Sequence, residues 1–226
     1  MTIMKILSKN TLVLPKVTGL PADLAAVPHG VIRPRDAADV YAHPAPQLRR
    51  LVERGRLRRL ATGYYAVVPR SEDGKGWRPT IEAAGFGIAA SDYGAERVVL
   101  MGISAARMYG AIPRAVGVCV VAVPKQRPPI ELFEGCGTVT FVRRSTLALD
   151  AVRRLSDLGT CLVTGIEQTV LDLAHRPELG GLPDEAREAV RALLPRCDRA
   201  RLDELAAGGR LRAAMGRALD WEELGA

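Results

Sequence analysis

Between Pro44 and Val68 the apolar period of the chain changes once, from helical to extended, across a single glycine, and this switch restricts the fold more than any other feature. After a break at Ala42-His43-Pro44, Leu48, Leu51 and Val52 recur at i, i+3 and i+4, the spacing of one face of an α-helix running to about Arg54. Gly55 stands where a left-handed C-terminal cap closes such a helix. Beyond it, Leu57 to Leu60, a turn containing Thr62-Gly63, and Tyr64 to Val68 carry the Tyr and Val favoured in a β-hairpin. Upstream, Leu20 to Val27, with Pro21 in its first turn, reads as a short helix and Val31-Ile32 follows. Pro34 to Tyr41, with Ala37, Ala38, Val40 and Tyr41 in a stripe, reads as another helix. Helix, helix, tight turn, helix, hairpin is the order of a winged helix-turn-helix, centred here on residues 31–69.

Charge bears on the partner, because it is distributed unevenly. The formal net charge is +7. Met1 to Arg70 holds twelve Lys or Arg against four Asp or Glu, an excess of +8, whereas the remaining 20 basic and 21 acidic side chains nearly cancel. A basic module of this kind suits a polyanion, since each phosphate it neutralises releases a condensed counterion. The bland alternative is a solvated basic surface. In a winged helix the second helix of the helix-turn-helix enters the major groove, while the wing meets backbone or minor groove. With Leu48, Leu51 and Val52 turned inward, Gln47, Arg49, Arg50, Glu53 and Arg54 are left on the groove side. Gln and Arg make bidentate contacts to adenine and guanine edges. Arg56, Arg58 and Arg59, at the root of the wing, are placed to hold phosphates, and Tyr64 completes the DNA-binding set. An acidic protein could use the same arginines, so protein contact is the competing reading.

The polar, Gly-rich string RSEDGKGWR from Arg70 to Arg78 marks a boundary. It divides a DNA-binding domain over residues 1–72 from a second domain over 77–226, each expected to fold separately. The second domain mixes elements: an Ala-rich helix from Pro79 to Ala90, a strand from Val98 to Met101 and a helix opened by Ser104. Strands follow at Gly117 to Val123, Thr138 to Arg143 and Cys161 to Val163. Thr164 and Glu167 have capping-box spacing for a helix from Ile166 to His175. Three helical patterns from Asp184, Asp198 and Gly209 form a C-terminal cluster. The fold class is therefore α+β: an N-terminal winged helix-turn-helix followed by a mixed α/β domain with a C-terminal helical cluster.

Several chemistries lack their residues. Cys119, Cys136, Cys161 and Cys197 are widely spaced with no C-x-x-C, so zinc-site spacing is absent. Three of them lie in apolar runs, as the buried reduced thiols of a cytosolic protein do. No stretch reaches the roughly 18 apolar residues of a membrane span, and Met1 to Leu14 lacks the apolar region and cleavage site of a signal peptide, so a cytoplasmic location is expected. There is no Walker loop and no complete dinucleotide fingerprint. Gly135-Cys136-Gly137 has a faint likeness to a kinase Gly-rich loop, but no His-Arg-Asp or Asp-Phe-Gly follows, and a turn needing positive φ is the simpler account. Ser104 and Thr164 read as helix caps, Asp172 as a structural acceptor, and His175 as a favourable residue at a helix C-terminus. Neither a cofactor, a metal nor a catalytic residue is expected.

Three segments carry a family resemblance. The run QLRRLVERGRLRRLATGYYAVVP (Gln47 to Pro69) resembles the N-terminal domain of the AbiEi family, the antitoxins of the abortive-infection AbiE, type IV, toxin–antitoxin systems, where a recognition helix ending in Gly precedes a wing. GISAARMYGAI (Gly102 to Ile112) and TGIEQTVLDLAHRPELGG (Thr164 to Gly181) are similar to two segments of that family's second domain. Together they cover most of residues 30–181. The resemblance implies two functions. The winged helix would repress its own operon at inverted repeats in promoter DNA, and the second domain would counteract a co-encoded nucleotidyltransferase-like toxin. Neutralisation by contact, by an opposing effect, or by covalent modification such as phosphorylation all stay open at this stage. A plain ligand-responsive repressor is the alternative from another class.

Overall fold

The computed structural model describes residues 19–27, 29–69, 71–72, 76–146 and 149–224. Lys5, Lys9, Lys16 and Arg70 of the basic excess, and part of the expected linker, lie outside these. The N-terminal unit consists of α1 (Ala22–Ala25), β1 (Val31–Ile32), a 3-10 turn (Pro34–Ala37), α2 (Pro44–Glu53), β2 (Leu57–Ala61) and β3 (Tyr64–Val67). Pro44 opens α2, where its missing N–H would have had no helical partner. Gly55, with φ 67°, closes it. The Gly55 N–H reaches the Val52 carbonyl and the Arg56 N–H the Leu51 carbonyl, both at 2.9 Å, the paired bonds of a Schellman closure. The strands make an antiparallel sheet in the order β1-β3-β2. This is the winged-helix order that the periodicity predicts.

One expected helix is shorter than its stripe. Between Pro34 and Tyr41 only the 3-10 turn forms. The Asp36 carboxylate accepts from the Arg33 N–H at 2.9 Å and from its guanidinium at 2.9 and 2.7 Å, and this clasp tightens the segment into i→i+3 bonding.

The winged sheet is apolar on both faces. Ile32, Leu57 and Tyr65 join Leu24, Ala37, Leu48 and Leu51 in a small core beneath α2. On the opposite face Val31, Leu60, Ala61 and Ala66 belong to the large core of the rest of the molecule. What they meet there is α3 (Ile81–Tyr93), begun by Thr80, whose side chain accepts the Ala83 N–H at 3.4 Å. Every residue of α3 from Glu82 to Ser91 is buried, as a helix without a polar face must be. Two glycines let the surroundings close on it. A Cβ on Gly85 would stand 2.4 Å from Cys119 Sγ, and one on Gly87 would stand 2.4 Å from Val31 Cγ2 and 2.9 Å from the His29 carbonyl. The boundary expected between residues 72 and 77 precedes α3, yet the cores on its two sides are continuous through this helix. Gly87→Ala is accordingly expected to destabilise the whole chain by about 1–3 kcal/mol through overpacking against β1. Thermal unfolding should register this as a fall in Tm of roughly 2–12 °C; an unchanged Tm would mean that β1 is free to move away from α3.

The second unit is built on a mixed sheet of β4 (Val99–Leu100), β5 (Val118–Val123), β6 (Ile130–Glu131), β7 (Thr138–Arg143), β8 (Ala151–Ser156) and β9 (Gly159–Thr164). Their spatial order is β6-β7-β5-β4-β9-β8, with the β5–β7 and β4–β9 pairs parallel and the others antiparallel. Gly135 and Gly137, at φ 68° and 107°, sit in the connection of the antiparallel β6–β7 pair, the turn role the sequence suggests. After α4 (Ile103–Met108), the C-terminal cluster gathers α6 (Pro183–Leu193), α7 (Arg199–Gly208) and α8 (Arg212–Glu223) around α5 (Ile166–His175). Strand β8 has no counterpart among the sequence expectations. It is an edge strand with Val152 to Leu155 exposed, so neither face carries an apolar alternation, and pairing with β9 alone makes it extended.

Candidate nucleic-acid interface

Helix α2 docks on the winged sheet through Leu48 and Leu51, which are buried, with Val52 half-buried beside them. That packing turns Arg49, Arg50, Glu53 and Arg54 outward, all exposed, and leaves Gln47 half-buried. Arg56, exposed, follows directly on the Gly55 closure. One helix thus presents two adjacent guanidinium forks, each able to make paired hydrogen bonds in one plane. This is the donor pattern that reads guanine in a major groove or clamps phosphates.

The remaining three of the eight residues expected to touch DNA have partners within the molecule, although Arg59 is exposed and Arg58 and Tyr64 are half-buried. Arg58 pairs with Glu134, which also receives Arg78 at 2.5 Å. The Arg59 guanidinium lies over the Phe133 ring, 4.2 Å from its centroid. The Tyr64 hydroxyl donates to Asp92 Oδ2 at 2.7 Å, and burial followed by this bond raises the phenol above its usual pKa. Asp92, near the C-terminal end of α3, gathers donors from both units: Arg33 at 2.8 Å, Arg35 at 3.4 Å, and Arg127. Burial works against the ionised form of neighbouring Asp36, yet its bonds to Arg33 hold it below the usual carboxylate range. The reason for the difference is the second apolar face of the wing. The unbroken run Tyr64-Tyr65-Ala66-Val67-Val68 has no polar alternation, which is the signature of a strand covered on both sides and the signal from which the inward position of Tyr64 follows.

Residues 21–68 match a family model described as a transcriptional regulator, AbiEi antitoxin, and residues 97–220, more than half of the chain, match that of the AbiEi antitoxin C-terminal domain. The chain belongs to the AbiEi antitoxin family. Its fold is similar to the crystal structure of the RV2827C protein from Mycobacterium tuberculosis, at 20% identity and a TM-score of 0.58, over 85% of this chain and 71% of that one. No curated protein matches the sequence.

Within the AbiEi C-terminal domain the two motif segments become α4 and α5, and their hydroxyls do not cap them. The helix N-caps are Gly102 and Gly165, without side-chain bonds. The buried Ser104 Oγ accepts the Val120 N–H at 2.7 Å and so fastens α4 to β5. Thr164 Oγ1 bonds Thr169 Oγ1 at 2.7 Å, while Glu167 accepts the Asp198 N–H at 2.9 Å at the start of α7. Ser104 and Glu167 thus take partners from distant parts of the chain, while Thr164 takes one in the helix that follows it. Asp172 is a structural acceptor, but its Oδ1 serves Arg144 at 2.5 Å and Gln168 at 2.9 Å, not His175. Burial raises its carboxyl pKa against the pull of Arg144. The four cysteines are free thiols, and burial pushes Cys161 up to about 11. Among the described residues no cluster of three or more His, Cys, Asp or Glu is placed to hold a metal, and no helix is long and apolar enough to cross a membrane.

Proposed function

We propose that this AbiEi antitoxin represses its own promoter through α2 and neutralises a co-encoded nucleotidyltransferase-like toxin through the part of the chain from Trp77 onward. The observation that carries the first half is the outward pair Arg49 and Arg50 on the exposed face of α2. In this reading α2 lies in the major groove of an inverted-repeat operator. Gln47, Arg49 and Arg50 meet base edges, and Arg54 and Arg56 meet phosphates. Arg58, Arg59 and Tyr64 act on DNA only by fixing the angle of the wing against Glu134, Phe133 and Asp92. The second half rests on charge. The chain beyond Arg70 is nearly neutral, which suits a protein partner better than a nucleic acid held through many phosphates.

Promoter binding by the full chain is expected to weaken steeply with salt, by about 0.9 logarithmic units of affinity per phosphate contact for each tenfold rise in salt. A flat salt response in a binding titration would remove the phosphate contacts from the reading. The division of labour is tested in cells that express the neighbouring toxin. There, the full chain carrying Arg49→Ala and Arg50→Ala should restore growth as well as the unaltered chain while a promoter reporter is derepressed. If rescue disappears together with repression, neutralisation works through transcription and not through the second unit.

A further inference from the structure

A basic cleft on the second unit has no part in the readings above. Near the end of β7, two adjoining cavities of about 290 and 500 Å³ share Arg143 and Arg144 in their walls. Arg97 and Thr146 line the larger, and Asp172, His175 and Arg176 the smaller. Together they reach the size of ordinary ligand sites, roughly 300–1,000 Å³. Arg144 is paired with Asp172, but among the described residues Arg97, Arg143 and Arg176 have no carboxylate partner. Three such cations around one cleft repel one another until an anion enters. Asp172 supplies an independent sign. Its Oδ2 is the one buried side-chain nitrogen or oxygen among the described residues that lacks a hydrogen-bond partner. Buried polar atoms are nearly always paired, so an orphan acceptor in a cavity-lining residue asks for a donor from outside the chain.

We propose that this cleft binds a nucleoside phosphate, whose phosphates are held by Arg97, Arg143 and Arg176 and whose sugar hydroxyl or base amino group donates to Asp172 Oδ2. A duplex backbone would satisfy the arginines, but its phosphodiesters carry no donor for Asp172 Oδ2; inorganic phosphate carries a P–OH but no sugar or base, and the sugar-free control below separates it from a nucleotide. The carboxyl of Asp172, which burial keeps above the ordinary carboxylate range, would be eased by such a donor.

Calorimetric titration of the full chain with ATP, GTP and AMP, and with inorganic tripolyphosphate as a sugar-free control, tests this. At least one nucleotide is expected to bind with a Kd below about 1 mM, and tripolyphosphate about tenfold more weakly or worse. Arg143→Ala with Arg176→Ala should weaken nucleotide binding about tenfold or more, while promoter binding stays unchanged. Both positions are exposed, so folding is preserved, and circular dichroism verifies it. Asp172→Asn should weaken the nucleotide but not tripolyphosphate, which the release of Arg144 can only favour. Absence of nucleotide binding, equal binding of tripolyphosphate and nucleotides, or an arginine double variant that loses promoter affinity with nucleotide affinity intact would each overturn the proposal.

Discussion

Replacing Arg49 and Arg50 together with Ala is expected to weaken binding of the protein to its own promoter by roughly 2–6 kcal/mol, from about thirty-fold to beyond ten-thousand-fold. The range follows from one base contact per arginine at about 1–3 kcal/mol each. Both side chains are exposed on α2 and their neighbours Leu48 and Leu51 stay buried, so stability is unaffected and the loss belongs to the interface. Arg→Lys at the same two positions separates the contributions. Lysine keeps the charge and therefore most of the salt dependence, but lacks the planar fork, so discrimination between promoter and scrambled DNA falls before total affinity does. Arg58→Ala behaves differently because it removes one of the two guanidinium partners of Glu134, the one that ties it to the wing, and so loosens the seat of the wing. Its effect should be similar for every DNA sequence and accompanied by a lower Tm. Fluorescence anisotropy with promoter and scrambled duplexes distinguishes these cases. Full affinity and full discrimination in the double Ala variant would show that α2 is not the reading helix.

Arg107→Ala should be the most damaging single change to the fold. The Arg107 Nε donates to Glu82 Oε1 at 2.6 Å, and Glu82 is almost fully buried on α3. The same guanidinium also reaches the carbonyls of Ile112 and Arg114, tying the end of α4 to the loop beyond it. Removing one partner of a buried pair strands the other charge in the interior, at a cost of about 3–5 kcal/mol. For a chain of this size that corresponds to a fall in Tm of roughly 6–20 °C. Replacing both Glu82 and Arg107 with Met should recover most of the loss, since no charge is then left unpaired and the volume is kept. Calorimetric or circular-dichroism melting of the two variants gives the comparison. A double variant no more stable than Arg107→Ala would assign the cost to lost packing and to the freed carbonyls, not to the stranded carboxylate.

The elements whose partners are near in sequence were legible before any coordinates. The α2 stripe, its closure at Gly55 and the hairpin beyond it are decided within a few residues by periodicity, by a backbone only glycine adopts readily and by turn chemistry, and they recur in the structure with bounds shifted by a residue or two. The outward set on α2 followed from the same stripe. The charge excess and the motif segments divide the chain in two at the level of sequence, whereas the core continuous through α3 joins the two halves. Tertiary structure alone decided what depends on distant chain. Ser104 holds Val120 of β5, and Glu167 the start of α7, where spacing suggested caps; Arg58, Arg59 and Tyr64 turn to Glu134, Phe133 and Asp92. The physical reason is common to all of these. A hydroxyl, a carboxylate or a guanidinium takes the best partner within reach, and folding brings within reach groups far along the chain that no local pattern encodes. Helix α3 concentrates the effect: its Ala and Gly residues promise a helix from sequence, but only the packing of Gly85 on Cys119 and Gly87 on Val31 makes it the wall shared by the DNA-reading unit and the rest of the molecule.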